Sequence, residues 1–188
     1  MPTSEQQIIH RVSALVAADS VSSPDPRWDS SNRKVIHHIA EYAEGDGWAV
    51  EIQELGSGAN TKANLIASLG DFCEAGGQPS GLVLSGHTDT VPFDAGGWDS
   101  DPLTLDERDG RLYGLGSTDM KGFFAVALEA AAAFDPKEFK SPLYLLATAD
   151  EESTMRGARS LTKDYLPQAR AAVVGEPTDL RPMRMHKG

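Results

Sequence analysis

Cysteine is nearly absent from this sequence, since Cys73 is the only one among 188 residues. A lone thiol excludes an internal disulfide and any zinc cluster built on thiolates. Positive charge is scarce too. Lys and Arg number 17 against 28 Asp and Glu, for a formal charge of -11, and such a carboxylate excess repels phosphate backbones and anionic lipid. The expected partners therefore include neither nucleic acid nor a membrane. Long apolar runs are missing: the most apolar window, Phe123 to Phe134, is short and interrupted by Glu129. Met1 to Gln7 carry no basic segment ahead of an apolar stretch, so the sequence reads as a cytoplasmic, unprocessed protein. Several catalytic signatures are also absent. Gly114-Leu115-Gly116 lacks the third glycine of a dinucleotide fingerprint because position 119 is Asp, and there is neither a Gly-Lys-Ser/Thr phosphate loop nor a Gly-x-Ser-x-Gly nucleophile turn.

What is present is the composition of a folded domain, 40% hydrophobic and 24% charged. A capping pattern at Thr3/Gln6 or Ser4/Gln7, followed by Ile8, Val12, Leu15 and Val16, predicts a first helix. Ser31 is placed to cap a second, whose Val35, Ile39 and Tyr42 share a face until Gly45 and Gly47. From Trp48 to Gln53 the period becomes two, predicting a half-buried strand with Asn64 to Leu69 as its neighbour and a surface turn at Gly76, Gly77 and Pro79. Leu82-Val83-Leu84, Leu143 to Leu146 and Ala171 to Val174 are continuous apolar runs, suited to strands in the middle of a sheet with both faces covered. Helices are expected over Lys121 to Phe134 and Arg156 to Tyr165. Strands alternating with helices predict an α/β three-layer sandwich around a mixed, largely parallel sheet.

Each of the three apolar runs ends in groups that bind metal or move protons: His87 and Asp89, then Asp150, Glu151 and Glu152, then Glu176. Ligands in open α/β sheets bind beyond the carboxyl ends of the strands. Taken singly, each strand-end acid is ordinarily a solvated surface group; taken together they converge on one edge. Asp119 joins them from a loop tightened by Gly114, Gly116 and Gly122. His87 and Asp89 are two apart on extended chain, so one can ligate a metal while the other supports it. Glu151 and Glu152 are adjacent and in extended chain would face opposite sides, one on a metal and one acting on water. Oxygen and imidazole donors without thiolate suit zinc, cobalt or manganese.

Four ordered segments, Ser85 to Asp94, Asp109 to Ala125, Ala147 to Glu152 and Gly175 to Thr178, resemble the zinc-dependent aminoacylase and carboxypeptidase family. Within it, Thr-Val-Pro-Phe-Asp at 90–94 and Lys-Gly-Phe-Phe-Ala at 121–125 are most similar to the deacetylase branch rather than the desuccinylases. The resemblance implies a dinuclear hydrolase that uses zinc or cobalt to remove the acyl group of an N-acyl amino acid. It implies that His87, Asp119 and Glu176 bind one metal, that Asp119 bridges to a second also held by Glu152, that Asp89 orients His87, and that Glu151 is the general acid/base. A non-proline cis peptide after Asp119 is implied as well.

The family's chains are longer, and this one stops at His186-Lys187-Gly188. By the resemblance, residues 1–180 form the N-terminal part of the catalytic domain and 181–188 lead toward a lid domain through which the full-length form makes a homodimer. A distal histidine that completes the second metal site would lie in that lid-bearing remainder, leaving one of the two sites incomplete. The expectation is weak or absent turnover by these 188 residues alone, with exposed apolar surface where the rest would dock. Two competing readings are a non-catalytic metal-binding module and a sibling hydrolase with another acyl substrate.

Overall fold

The computed structural model describes residues 4–58, 61–70, 81–161 and 169–184. Helix α1 (Ser4–Ala17) buries Val12, Leu15 and Val16, three residues at helical spacing. Helix α2 (Arg33–Gly45) buries Val35, Ile36, Ile39, Ala40 and Ala43. Its N-cap is Asn32 and not Ser31. Asn32 lends the helix no side-chain cap because its amide is spent on Ala63 of the neighbouring strand, while Ser31 Oγ accepts from the Arg33 N–H at 3.3 Å. Helix α3 (Lys121–Ala132) buries Phe124, Ala125, Leu128 and Ala131 and stops short of Pro136.

Strands β1 (Ala49–Leu55), β2 (Lys62–Leu69), β3 (Leu82–His87), β6 (Leu143–Thr148) and β7 (Ala171–Val174) form one sheet in the order β1-β2-β6-β3-β7. A separate hairpin joins β4 (Asp106–Arg108) to β5 (Arg111–Tyr113). The β1–β2 and β2–β6 pairings are antiparallel; β6–β3 and β3–β7 are parallel. The sheet is thus mixed, with its parallel half where the chemistry lies. Parallel neighbours need a crossover, and the chain between β3 and β6 supplies one containing α3.

Helices α1, α2 and α3 cover one face, where Leu65, Ala67, Leu145 and Ala147 join Phe124 and Leu128 in the main core. Truncating a fully buried side chain such as Leu145 or Phe124 to Ala costs about 2–5 kcal/mol. The opposite face packs Val83, Tyr144 and Leu146 with Ile66, Leu161 and Ala169. Short helix α4 (Arg156–Ser160) is tied to that face by Asn64, whose Nδ2 donates to Gly157 O at 3.0 Å. The architecture is α/β, as the sequence implies, and among the described residues no helix is long and apolar enough to cross a membrane.

Two expectations are corrected. Ala171 to Val174 is a strand, but it lies at the edge of the described sheet with all four residues exposed, because it pairs only with β3 among the described residues. Helix α4 ends at Ser160, where Leu161 turns extended, and the rest of the expected helix, 162–165, lies outside the described residues. The turn expected at Gly76 to Pro79, Thr3 and His186 lie outside the described residues.

Candidate metal centre

Register sets the site. His87 pairs with Thr148 across β3–β6, so the 150–153 turn begins two residues beyond it, and Ser85 pairs with Val174, two residues before Glu176. Thr88 locks the β3–β6 junction: its hydroxyl donates to Thr148 O at 2.9 Å and accepts from Asn32 Nδ2 at 2.7 Å. Asp119 arrives from the loop before α3, where the Asp119–Met120 bond is cis. That loop closes tightly over α3, since a Cβ on Gly122 would lie 2.1 Å from Ser117 O.

His87 is 2% exposed. Its Nδ1 donates to the backbone carbonyl of Asp89 at 3.0 Å, which fixes the tautomer, and its Nε2 faces Asp119 Oδ1 at 3.1 Å and Glu176 Oε1 at 3.8 Å. Among the described residues two groups bring ligand atoms within 4.8 Å of one another: His87 with Asp119 and Glu176, and His87 with Glu151 and Glu152. Asp119 and Glu152 also line a cavity of about 890 Å³, together with Thr90, Trp98, Arg111 and Tyr113.

Two local expectations change. The Asp89 carboxylate stands 3.7 Å from His87 Nδ1, so the ring is oriented chiefly by the Asp89 carbonyl. The carboxylate instead accepts the N–H groups of Glu151 and Glu152, each at 3.0 Å. Glu151 and Glu152 do not point to opposite sides of an extended chain. Asp150 takes a left-handed φ of 58° and the chain curls into a turn around Asp89, so both side chains reach His87.

Charge in this cluster is poorly balanced. Burial pulls the His87 imidazole toward neutrality, but Asp89, Glu176, Asp119 and Glu151 together outweigh it and raise its pKa above 6.5. Glu152 and Glu176 are both raised above 4.5, first by burial and then by neighbouring carboxylates, against the opposing pull of His87. Asp89 is raised by burial despite the N–H groups it accepts. Acids that resist ionisation because they are buried and crowd one another are the donor set a divalent cation would relieve. Lys121, fully buried at the start of α3, is lowered to about 8 by burial, with Asp19 opposing, and donates to Ala18 O at 3.1 Å.

Sequence reasoning did not single out the buried polar residues that hold the turn and strand ends, namely Asn32, Lys62 and Thr88. All three lie in polar stretches, where nothing marks a side chain as buried until its partners are known.

Comparison with known proteins extends these observations. The chain is 49% identical over 174 residues to acetylornithine deacetylase of Aliivibrio salmonicida, covering 93% of this chain and 44% of that protein. It is 47% identical over 176 residues to acetylornithine deacetylase of Pasteurella multocida, covering 94% and 44%. The chain therefore spans less than half the length of these curated relatives. Its fold matches human carnosine dipeptidase 1 with a TM-score of 0.68 at 23% identity, covering 89% of this chain and 38% of that one. It also matches a metallo-carboxypeptidase of Sulfolobus solfataricus with a TM-score of 0.65 at 16% identity, covering 93% and 37%. Residues 83–185, the segment that carries every one of these site groups, match the model of peptidase family M20/M25/M40, and the chain belongs to that family.

Proposed function

We propose that this chain carries the N-terminal part, residues 1–180, of the catalytic domain of a metal-dependent amide hydrolase that removes acetate from N2-acetyl-L-ornithine to give L-ornithine. Residues 181–188 then begin the connection to a second domain that makes the full-length form a homodimer. The observation that carries the reading is the clustering around His87 of Glu151, Glu152 and Glu176 from the ends of β6 and β7 and of Asp119 from the loop before α3. The names of the curated relatives support the substrate.

His87, Asp119 and Glu176 would hold one divalent ion, zinc or cobalt, and Asp119 with Glu152 would contribute to a second. When bound, such ions supply Lewis-acid polarisation of the amide carbonyl and ease deprotonation of water. The protein's own residues do the rest. His87 keeps Nε2 available because Nδ1–H is committed to the Asp89 carbonyl. Glu151 takes a proton from the attacking water as its oxygen bonds to the carbonyl carbon. The same carboxyl returns the proton to the nitrogen as the C–N bond breaks, and the acid's remaining proton passes to the amine, leaving acetate and an ammonium. Asp89 holds the backbone of both glutamates while this occurs.

The reading is tested on the full-length protein by metal content and by hydrolysis of N2-acetylornithine, N-succinyl amino acids and dipeptides, each with and without Glu151→Gln. Turnover of the acetyl substrate should lead the panel, and the variant should lose about 10²–10⁴-fold in kcat while keeping its metal. Unchanged turnover would remove Glu151 from its role, and preference for a succinyl substrate would move the protein to the desuccinylases.

A further inference from the structure

The turn bearing Glu151 and Glu152 is fastened from behind by a lysine outside the ligand cluster. Lys62 opens β2 with its side chain 2% exposed. Its Nζ lies 3.1 Å from Asp150 Oδ1 and 2.8 Å from Asp29 Oδ1, and it donates to Ser30 O at 2.5 Å. Asp150 also accepts from the Ser22 hydroxyl at 3.2 Å, and Ser22 Oγ in turn hydrogen-bonds Ser153 Oγ at the far end of the turn. A buried ammonium is costly unless its N–H groups all find partners. Here those partners are divided between the 29–30 loop and the turn, so a single side chain joins the two segments.

What the junction holds is a demanding conformation. Asp150 sits at φ 58°, a left-handed geometry that a non-glycine residue keeps only where its surroundings impose it. That residue immediately precedes Glu151. Asp89 secures the N–H groups on the front of the turn; the Lys62–Asp150 pair secures its entry from behind. A proton-transferring group needs placement to within about an ångström, and loss of that placement can cost about a hundredfold in rate.

We propose that Lys62 is a positioning residue for amide hydrolysis: through its ion pair with Asp150 it sets the 150–153 turn so that Glu151 meets the attacking water and Glu152 meets the cation. This rests on the proposed function, but the position of the turn can be measured without turnover. Lys62→Gln, Asp150→Asn and the double variant are to be made in the full-length protein. Metal-loaded kinetics are measured alongside amide hydrogen exchange at Glu151 and Glu152 in the metal-free form. Each single variant should lose about 10- to 100-fold in kcat with KM within about twofold, as for other residues that orient a metal site. The double should be no worse than the weaker single, because both changes break one link, and the two amides should exchange faster in all three. Losses that multiply in the double, kcat retained while exchange rises, or kcat lost while exchange stays slow would each overturn the assignment. If Lys62→Gln does not fold, Asp150→Asn, which keeps the side chain's size and an acceptor oxygen, decides by the same two readouts. If the wild type hydrolyses no amide, the proposed function fails, and exchange alone decides whether Lys62 and Asp150 set the turn.

Discussion

His87 stands between two acidic arms that are built differently. On one side, Glu151 and Glu152 ride a turn whose N–H groups go to a fully buried carboxylate and whose first residue is held by a buried ammonium. On the other, Glu176 follows β7, an edge strand among the described residues with exposed side chains, and is steadied by the Gly175 N–H donating to Ser85 O at 3.1 Å and by the Phe123 ring against Gly175. Strand ends deliver ligands to a common edge, but buried polar side chains decide how firmly each ligand is held. The fastened arm should therefore respond to changes beneath it, and the loose arm chiefly to changes in its own backbone.

The largest contrast is expected from Asp89→Ala set against Glu176→Ala in the metal-free protein. The first leaves two N–H groups without their acceptor, at about 1–3 kcal/mol each. The second removes a carboxylate from an overcrowded cluster and should leave stability unchanged or slightly higher. Denaturant unfolding checks both, and equal losses would erase the distinction between the arms.

Gly175→Ala sharpens the comparison from the loose side. An added Cβ would lie 2.1 Å from Phe123 Cδ2, so the ring or the strand must yield, at about 1–3 kcal/mol. With β7 unpaired at its outer edge among the described residues, the strand is the part that moves, carrying Glu176 away from His87. Divalent-cation affinity, followed by calorimetry, should fall in Gly175→Ala and recover in Gly175→Ala combined with Phe123→Ala. Full affinity in the single variant would mean that β7 is held as firmly as the other arm.

The shifted acids make a further contrast, between metal-free and loaded protein. Glu152 and Glu176 have folded pKa values raised above 4.5 and His87 above 6.5, so the native state holds protons that the unfolded chain has released. Stability without metal is then greatest below the unfolded values and is lost as pH rises through the folded ones. A bound cation favours the ionised carboxylates and reverses the slope. Unfolding midpoints between about pH 4 and 8, with chelator and with zinc, should diverge as pH rises; parallel curves would mean that no cation sits among these acids.

Much of this was legible in the sequence where a local period or a strand-end position carries the information. The spacing of Val12, Leu15 and Val16 predicts α1, the alternation after Trp48 predicts β1, and the apolar runs before His87 and Glu151 place both at one edge. Long-range geometry was not legible. Nothing local says that Asp89 reaches past His87 to the backbone at 151 and 152, or that a left-handed residue at 150 would aim two adjacent glutamates the same way. Lys62 reads as an ordinary strand-end lysine until its ammonium is seen among Asp29, Ser30 and Asp150.

The apolar run at Ala171 to Val174 gives the smallest and last contrast. Like Leu143 to Leu146 it carries no charged residue, yet Leu145 is fully buried whereas Val174 is 59% exposed. Apolar sequence reports what a strand can bury, and only its neighbours determine what it does bury. Val174→Thr in these 188 residues should therefore change stability by less than about 0.5 kcal/mol, the ordinary range for a surface position. Leu145→Ala should cost about 2–5 kcal/mol. A cost for Val174→Thr approaching that of the core change, measured by denaturant unfolding at more than one protein concentration, would show that β7 is covered in solution. If that cost grew with concentration, the cover would be a second molecule, and the loose arm would be loose only in the monomer.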